Sequence, residues 1–253
     1  MRALAFAVVL LASGLAARGE APRVYPSGED IPENLLRVSI AFASPTAPGI
    51  FERLALRGTD GVIVAQPFLE QELWSPDGKT LTLLLHPGRV KSGLRAHAEA
   101  GRALHSGDRV ALLLDGEPLT TWRVGPARKS APDPRRWSIN APRAGTRDAV
   151  VLTLDAPIDA LAAGSLAVIS PRGEKMRGRA VLALGEQSWS LAPETNWEEG
   201  PYRILIHPRL EDPQGNALRS GFEQTAGLSS PDAAAPAELR FEVGPAAAAR
   251  PTQ

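Results

Sequence analysis

The stretch from Tyr202 to Leu218, YRILIHPRLEDPQGNAL, restricts the fold of this chain more than any other. Apolar residues recur at alternate positions (Tyr202, Ile204, Ile206), the period of an extended strand with one face buried. Pro208 breaks the run, and Leu-Glu-Asp-Pro-Gln-Gly-Asn-Ala-Leu follows. In that segment Asp212 can cap backbone amides, while Gly215 and Asn216 accept positive φ, so it reads as a tight turn. A strand that runs into a proline-stiffened turn belongs to a sheet. A helical bundle carrying the 23 prolines of this chain would be broken repeatedly.

The same rhythm runs through most of the sequence. Leu36, Val38, Ile40 and Phe42 alternate with Arg37, Ser39, Ala41 and Ala43, which predicts the first strand of a half-buried sheet. Further strands are expected at Phe51 to Leu56, Val62 to Ala65, Thr80 to His86, Arg109 to Asp115 and Thr120 to Val124. Gly58-Thr59-Asp60-Gly61, Pro76-Asp77-Gly78 and Asp115-Gly116-Glu117-Pro118 supply turns between them. Gly93 to Leu104 is the one stretch of this half that suits a short helix. Strands of this length separated by such turns indicate a sandwich or barrel.

Ser130 to Arg136, SAPDPRR, is polar and stiffened by two prolines, and alternation resumes only beyond it. Strands are then expected at Asp148 to Leu154, Ser165 to Ser170, Arg179 to Leu184, Gln187 to Leu191, Tyr202 to His207 and Glu238 to Val243. The ending Leu154-Asp155-Ala156-Pro157 parallels Phe42-Ala43-Ser44-Pro45, and Gly125-Pro126 and Gly244-Pro245 each follow a Trp/Phe-x-Val ending. Two copies of one unit of roughly 105 residues explain this economically. The expected organisation is two all-β sandwiches, 24–126 and 134–245, joined by a linker at 127–133 and followed by a disordered tail at 246–253.

Residues 1–17 carry a basic start (Arg2), an apolar run from Ala3 to Ala12 and small residues at Ser13, Gly14, Ala16 and Ala17. This is the layout of a secretory signal peptide, too short to remain as a membrane span. No other segment approaches the length of apolar run that a spanning helix needs, so no integral membrane segment is expected in the mature chain. The expected location is exported, periplasmic or extracellular. There is no cysteine, which excludes disulfides, thiolate catalysis and Cys-ligated metal sites. Lys+Arg and Asp+Glu balance at 28 each, so no whole-protein field exists to hold nucleic acid.

With these elements laid out, the chain resembles bacterial surface-layer-type (SbsA-like) Ig-like domain proteins, in particular exported ones with two such modules. The residues that carry the resemblance include Ile31-Pro32-Glu33-Asn34-Leu35-Leu36, Phe42-Ala43-Ser44-Pro45, Glu72-Leu73-Trp74, His86-Pro87-Gly88-Arg89-Val90 and Leu210-Glu211-Asp212-Pro213-Gln214-Gly215-Asn216. Thr46 stands where the family commonly has methionine, and the first module keeps only Asp115-Gly116-Glu117-Pro118 of the Asp-x-x-Gly-Asn turn. The resemblance implies tandem immunoglobulin-like β-sandwiches and a non-catalytic adhesion, spacer or scaffold role. The implied partner is another envelope protein or a surface polymer.

Motifs for chemistry are sparse. His86, His97, His105 and His207 include no pair at metal-ligand spacing, and no Gly-x-Ser-x-Gly, Ser-x-x-Lys, Gly-x-Gly-x-x-Gly or P-loop occurs. No catalytic, cofactor-binding or metal residue is assigned, and no cofactor is expected. His86 and His207 each precede a proline and are read as equivalent corners of the two modules. Glu211, Asp212 and Asn216 offer oxygens to a calcium ion, but their spacing suits a turn better. Glu70, Glu72, Glu198 and Glu199 are read as solvated loops. Among Trp74, Trp122, Trp137, Trp189 and Trp197, Trp189 is expected in a core and Trp197 is the best candidate for exposure. The rival reading is a carbohydrate- or calcium-dependent binding module built on Trp197 or Asp212.

Overall fold

The computed structural model describes residues 20–90, 101–183, 185–218 and 237–245. The first half contains β1 (Arg23–Tyr25), β2 (Asp30–Pro32), β3 (Arg37–Ala41), β4 (Leu54–Arg57), β5 (Leu73–Trp74), β6 (Thr80–Leu84), β7 (Arg109–Leu114) and β8 (Glu117–Gly125). They form two sheets, ordered β1-β3-β6-β5 and β2-β8-β7-β4. Among the described residues of this half only β2 pairs in parallel, with β8. The second half contains β9 (Ser138–Asn140), β10 (Val150–Thr153), β11 (Leu166–Ile169), β12 (Gly178–Leu182), β13 (Ser188–Pro193), β14 (Gly200–Ile206) and β15 (Ala237–Val243). Their sheets are ordered β12-β13-β10-β9 and β11-β14-β15.

The two halves superpose strand for strand in their connectivity. β3-β6-β5 corresponds to β10-β13-β12, and β4-β7-β8 to β11-β14-β15. Even the parallel contact recurs, as a bridge between Arg143 and Gly244. Both halves are immunoglobulin-like sandwiches, two sheets antiparallel but for that edge contact, with Greek-key crossovers. The alternation dictates which residues meet between the sheets. Val38 and Ile40 of β3 lie beside Leu83 and Leu81 of β6 on the inner face of one sheet, across from Leu56, Val110 and Leu112 of the other, and Leu152, Trp189, Ile204 and Ile206 lie in the second core. Without cysteine, sheet is tied to sheet by packing and not by a disulfide. The start of β14 adds a polar tie, since the Tyr202 hydroxyl accepts from Glu198 N (3.2 Å) and donates to Glu198 O (3.3 Å), the tyrosine corner of such domains.

Several expectations shift. Phe51–Arg53 is a 3-10 turn that precedes β4, because its apolar residues do not alternate cleanly. Val62 to Ala65 is no strand; Ile63 makes a single bridge to Arg57, and Val62 and Ile63 are exposed on a loop. Short strands β1, β2, β5 and β9 carry too few residues to show a period. The expected signal peptide, the tail and the greater part of the helix at Gly93 to Leu104 lie outside the described residues; residues 101–104 are irregular. His86 and His207 share a local motif but not a position: His86 follows β6, whereas His207 follows β14, which corresponds to β7.

Candidate functional site

The turn after β14 is built on one carboxylate. Asp212 is fully buried and accepts from Gln214 N (3.0 Å), Asn216 N (2.8 Å) and Asn216 Nδ2 (2.7 Å). Gly215 sits at φ +78° and donates its N–H to Asp212 O (2.9 Å). Leu218 N returns to Leu210 O, so the turn closes as a small loop with Leu210 buried beneath it. This geometry turns the Pro213 carbonyl away from its own sandwich. It accepts from Leu36 N and Arg37 N, both at 3.1 Å, at the entry to β3 of the other sandwich. A Cβ on Gly215 would lie 3.1 Å from Leu36 Cδ2, so glycine serves both the φ and the close approach.

Charged side chains close the joint. Arg37 reaches across to Glu211 (2.5 Å) and Asp159 (3.2 Å). Asp159 also caps the 3-10 turn Ala160–Ser165 by accepting from Leu161 N, and its own N–H binds Glu211 O. A second clasp lies beside it. Glu186, in the β12–β13 turn at φ +52°, accepts from Ser27 N (3.2 Å to each oxygen) and from Ser27 Oγ (2.5 Å). Ser27 Oγ in turn accepts from Gly185 N (2.9 Å). The linker is held at both ends: the Asn34 amide makes a two-way clamp on Arg128, and Asp155 accepts from Asp133 N and Trp137 Nε1.

The electrostatics are uneven. Burial is the largest influence on Asp159 and raises its carboxyl, against Leu161 N–H and Arg37, which pull it down. Burial likewise raises Glu186, only partly offset by its hydrogen bonds from Ser27, and raises Asp212 despite three donated hydrogen bonds. Burial would lower Arg37, but Glu211 and Asp159 together hold it above its ordinary value. The directions differ because one guanidinium answers two carboxylates, whereas each carboxylate has only a share of it. Raised carboxyls suit general acids, but the crevice between Tyr25, Arg37, Asp159 and Glu186 has a volume of only about 10 Å³. That is room for one water at most, and no substrate. The cluster fastens two sandwiches together.

The other residues singled out by the sequence are structural. Trp197 is buried, not exposed: it packs edge-on against Tyr202 at 5.1 Å and Phe241 at 6.1 Å, and its indole N–H donates to Asp148 O. Its polar neighbours Asn196 and Glu198 masked this, because an exposed loop can still return one side chain to the core. Trp189 lies in the core as expected. His86 Nδ1 and His207 Nδ1 accept from Gly88 N and Arg209 N. Glu72 is not a solvated loop residue. It accepts from Gly49 N, Phe51 N and Trp74 Nε1, donors that hold its carboxyl below the ordinary range although burial pushes the other way. Among the described residues no cluster of His, Cys, Asp or Glu is arranged to hold a metal ion. At Asp212 the three internal donors, and at Glu211 the pairing with Arg37, engage the oxygens that the sequence offers to calcium.

No family model and no curated protein matches the chain. Among solved structures it is similar to a chimeric titin Z1Z2 carrying a decorin peptide (11% identity, TM-score 0.28, covering 89% of this chain and 96% of that one). It is also similar to titin domains Z1Z2 in complex with telethonin (10%, 0.24, 90% and 99%). A third is the Ig1-2 module of the Drosophila receptor protein tyrosine phosphatase DLAR (13%, 0.21, 74% and 91%). The fold assignment stands on the strand order and pairing of this chain itself.

Proposed function

We propose that this protein is a non-catalytic, exported two-module spacer or scaffold of the bacterial cell envelope, whose partner is another envelope protein or a surface polymer. One observation carries the reading. The most distinctive turn of the chain is spent on the joint between sandwiches, where the Pro213 carbonyl, Glu211 and Asp159 grip the start of β3. A catalytic or ligand-gated protein needs its distinctive loops at an open cleft; a spacer needs them where its modules would otherwise swing. Resemblance to surface-layer-type Ig modules and the signal-peptide layout of residues 1–17 support export.

Because the chain has no cysteine, spin labels can be placed at will. Labels on Glu70→Cys and Thr195→Cys, exposed positions on different sandwiches, are expected to give one narrow distance distribution by double electron–electron resonance. A broad distribution, with the modules moving independently, would refute the spacer reading. Fractionation of the producing cell tests location: the mature chain is expected outside the cytoplasmic membrane, and retention of the full-length form in the cytosol would refute export.

A further inference from the structure

The second sandwich is not closed along one side. Its two sheets end on β11 and β12, and between these edges a slot of about 320 Å³ runs in toward Trp189 and Leu191. Small residues hold it open. Ala163 and Gly164 line one wall, Gly178 and Ala180 the other, and a Cβ on Gly164 would meet nothing within 4 Å. Gly178 has no such freedom, since its Cβ would strike Ala192 O at 2.3 Å; the backbone crossing itself keeps that wall low.

Two polar features mark the slot. The Trp189 indole N–H is fully buried and has no acceptor, which in a folded protein costs as much as a lost hydrogen bond and calls for an explanation. At the rim stands Lys175, set there by its bridge to Ile169, with Arg177 and Arg179 next to it along the β12 edge. Nearby Arg172 is engaged by Glu198, whereas none of Lys175, Arg177 and Arg179 has an ion pair among the described residues.

We propose that this slot binds a small amphiphilic carboxylate, an apolar body seated between Leu166, Met176 and Leu191 with its anionic end at Lys175. The apolar walls supply the bulk of the contact and the lysine selects the charge, the usual division of labour in small-molecule sites. Trp189 lines the slot, so the resonance of its indole N–H reports on occupancy. The slot shares no lining residue with the crevice at the joint, although the 3-10 turn Ala160–Ser165 borders both.

The probe is 3-phenylpropionate, with 3-phenylpropanol as its uncharged counterpart, titrated into the ¹⁵N-labelled full chain. Trp189→Phe assigns the Trp189 indole resonance. The expected result is a saturable shift of that resonance, with the carboxylate binding about fivefold tighter than the alcohol, the range of a partly exposed charge contact. Lys175→Met, a surface change, is expected to abolish the preference for the carboxylate. Ala180→Leu fills the slot and is expected to remove the shift for both probes while leaving the thermal midpoint within a few degrees. No saturable shift of Trp189, equal binding of acid and alcohol, or binding that survives in folded Ala180→Leu would each overturn the proposal.

Discussion

Arg37→Met tests the joint most directly. The replacement keeps most of the aliphatic stem and removes the guanidinium that answers both Asp159 and Glu211. The Asp159 side chain is 7% exposed and that of Glu211 29%. Stripping the partner from a fully buried pair costs about 3–5 kcal/mol, but half of this cluster is in reach of water. The expected loss near neutral pH is therefore about 2–3 kcal/mol, between the buried value and the roughly 0–1 kcal/mol of a surface pair. Urea unfolding of wild type and variant, followed by Trp fluorescence, measures it. The loss carries a signature: Asp159 is already raised by burial, and without Arg37 it takes up a proton more readily still. The cost of the variant should thus shrink on acidification, as the orphaned carboxylate is neutralised. The spin-label distribution should broaden at the same time. A loss below about 0.5 kcal/mol, or one that does not change with pH, would refute the view that this cluster fastens the sandwiches.

Other outcomes follow from the same contacts. Glu186 is raised by burial, so its contribution favours the fold fully below the ordinary value of 4.5 and is lost as pH rises through the raised one. Glu186→Gln should flatten the fall in thermal midpoint as pH rises above that ordinary value while keeping the Ser27 clasp, and an unchanged slope would count against this assignment. Gly215→Val introduces a strained φ and a clash with Leu36; it should cost about 1–2 kcal/mol and broaden the inter-module distance without loss of circular-dichroism signal. Trp197→Ala should cost about 3–5 kcal/mol as a core cavity, measured by urea unfolding. Calcium or chelator should leave the wild-type melting midpoint unmoved, because Asp212 is already saturated by its own turn.

Most strands were legible because a sandwich buries one face of each strand, and burial on one side writes a period of two. β3, β6, β7, β10 and β14 all fall where alternation placed them. Val62 to Ala65 misled because its apolar residues imitate a strand, yet it touches the β4 edge at one bridge only and leaves Val62 and Ile63 exposed. Glu72 and Trp197 misled for the opposite reason. Each sits among polar neighbours, yet one is gathered in by backbone donors and the other by Tyr202 and Phe241, contacts that no local window contains.

The turn at Leu210 to Leu218 shows where that boundary falls. Its closure is local: Asp212, Gly215 and Asn216 satisfy one another within a few residues, so sequence alone determines it. In the first sandwich the corresponding connection is the two-residue turn Asp115-Gly116, which closes β7 on β8 and ends there, with Asp115 paired to Arg53. Nothing in either sequence says that one turn finishes a hairpin while the other docks on a neighbouring module. That is decided by the outward Pro213 carbonyl meeting the free N–H groups of Leu36 and Arg37. Those residues are distant in the chain, and they meet only once both cores have formed and the linker has set them face to face.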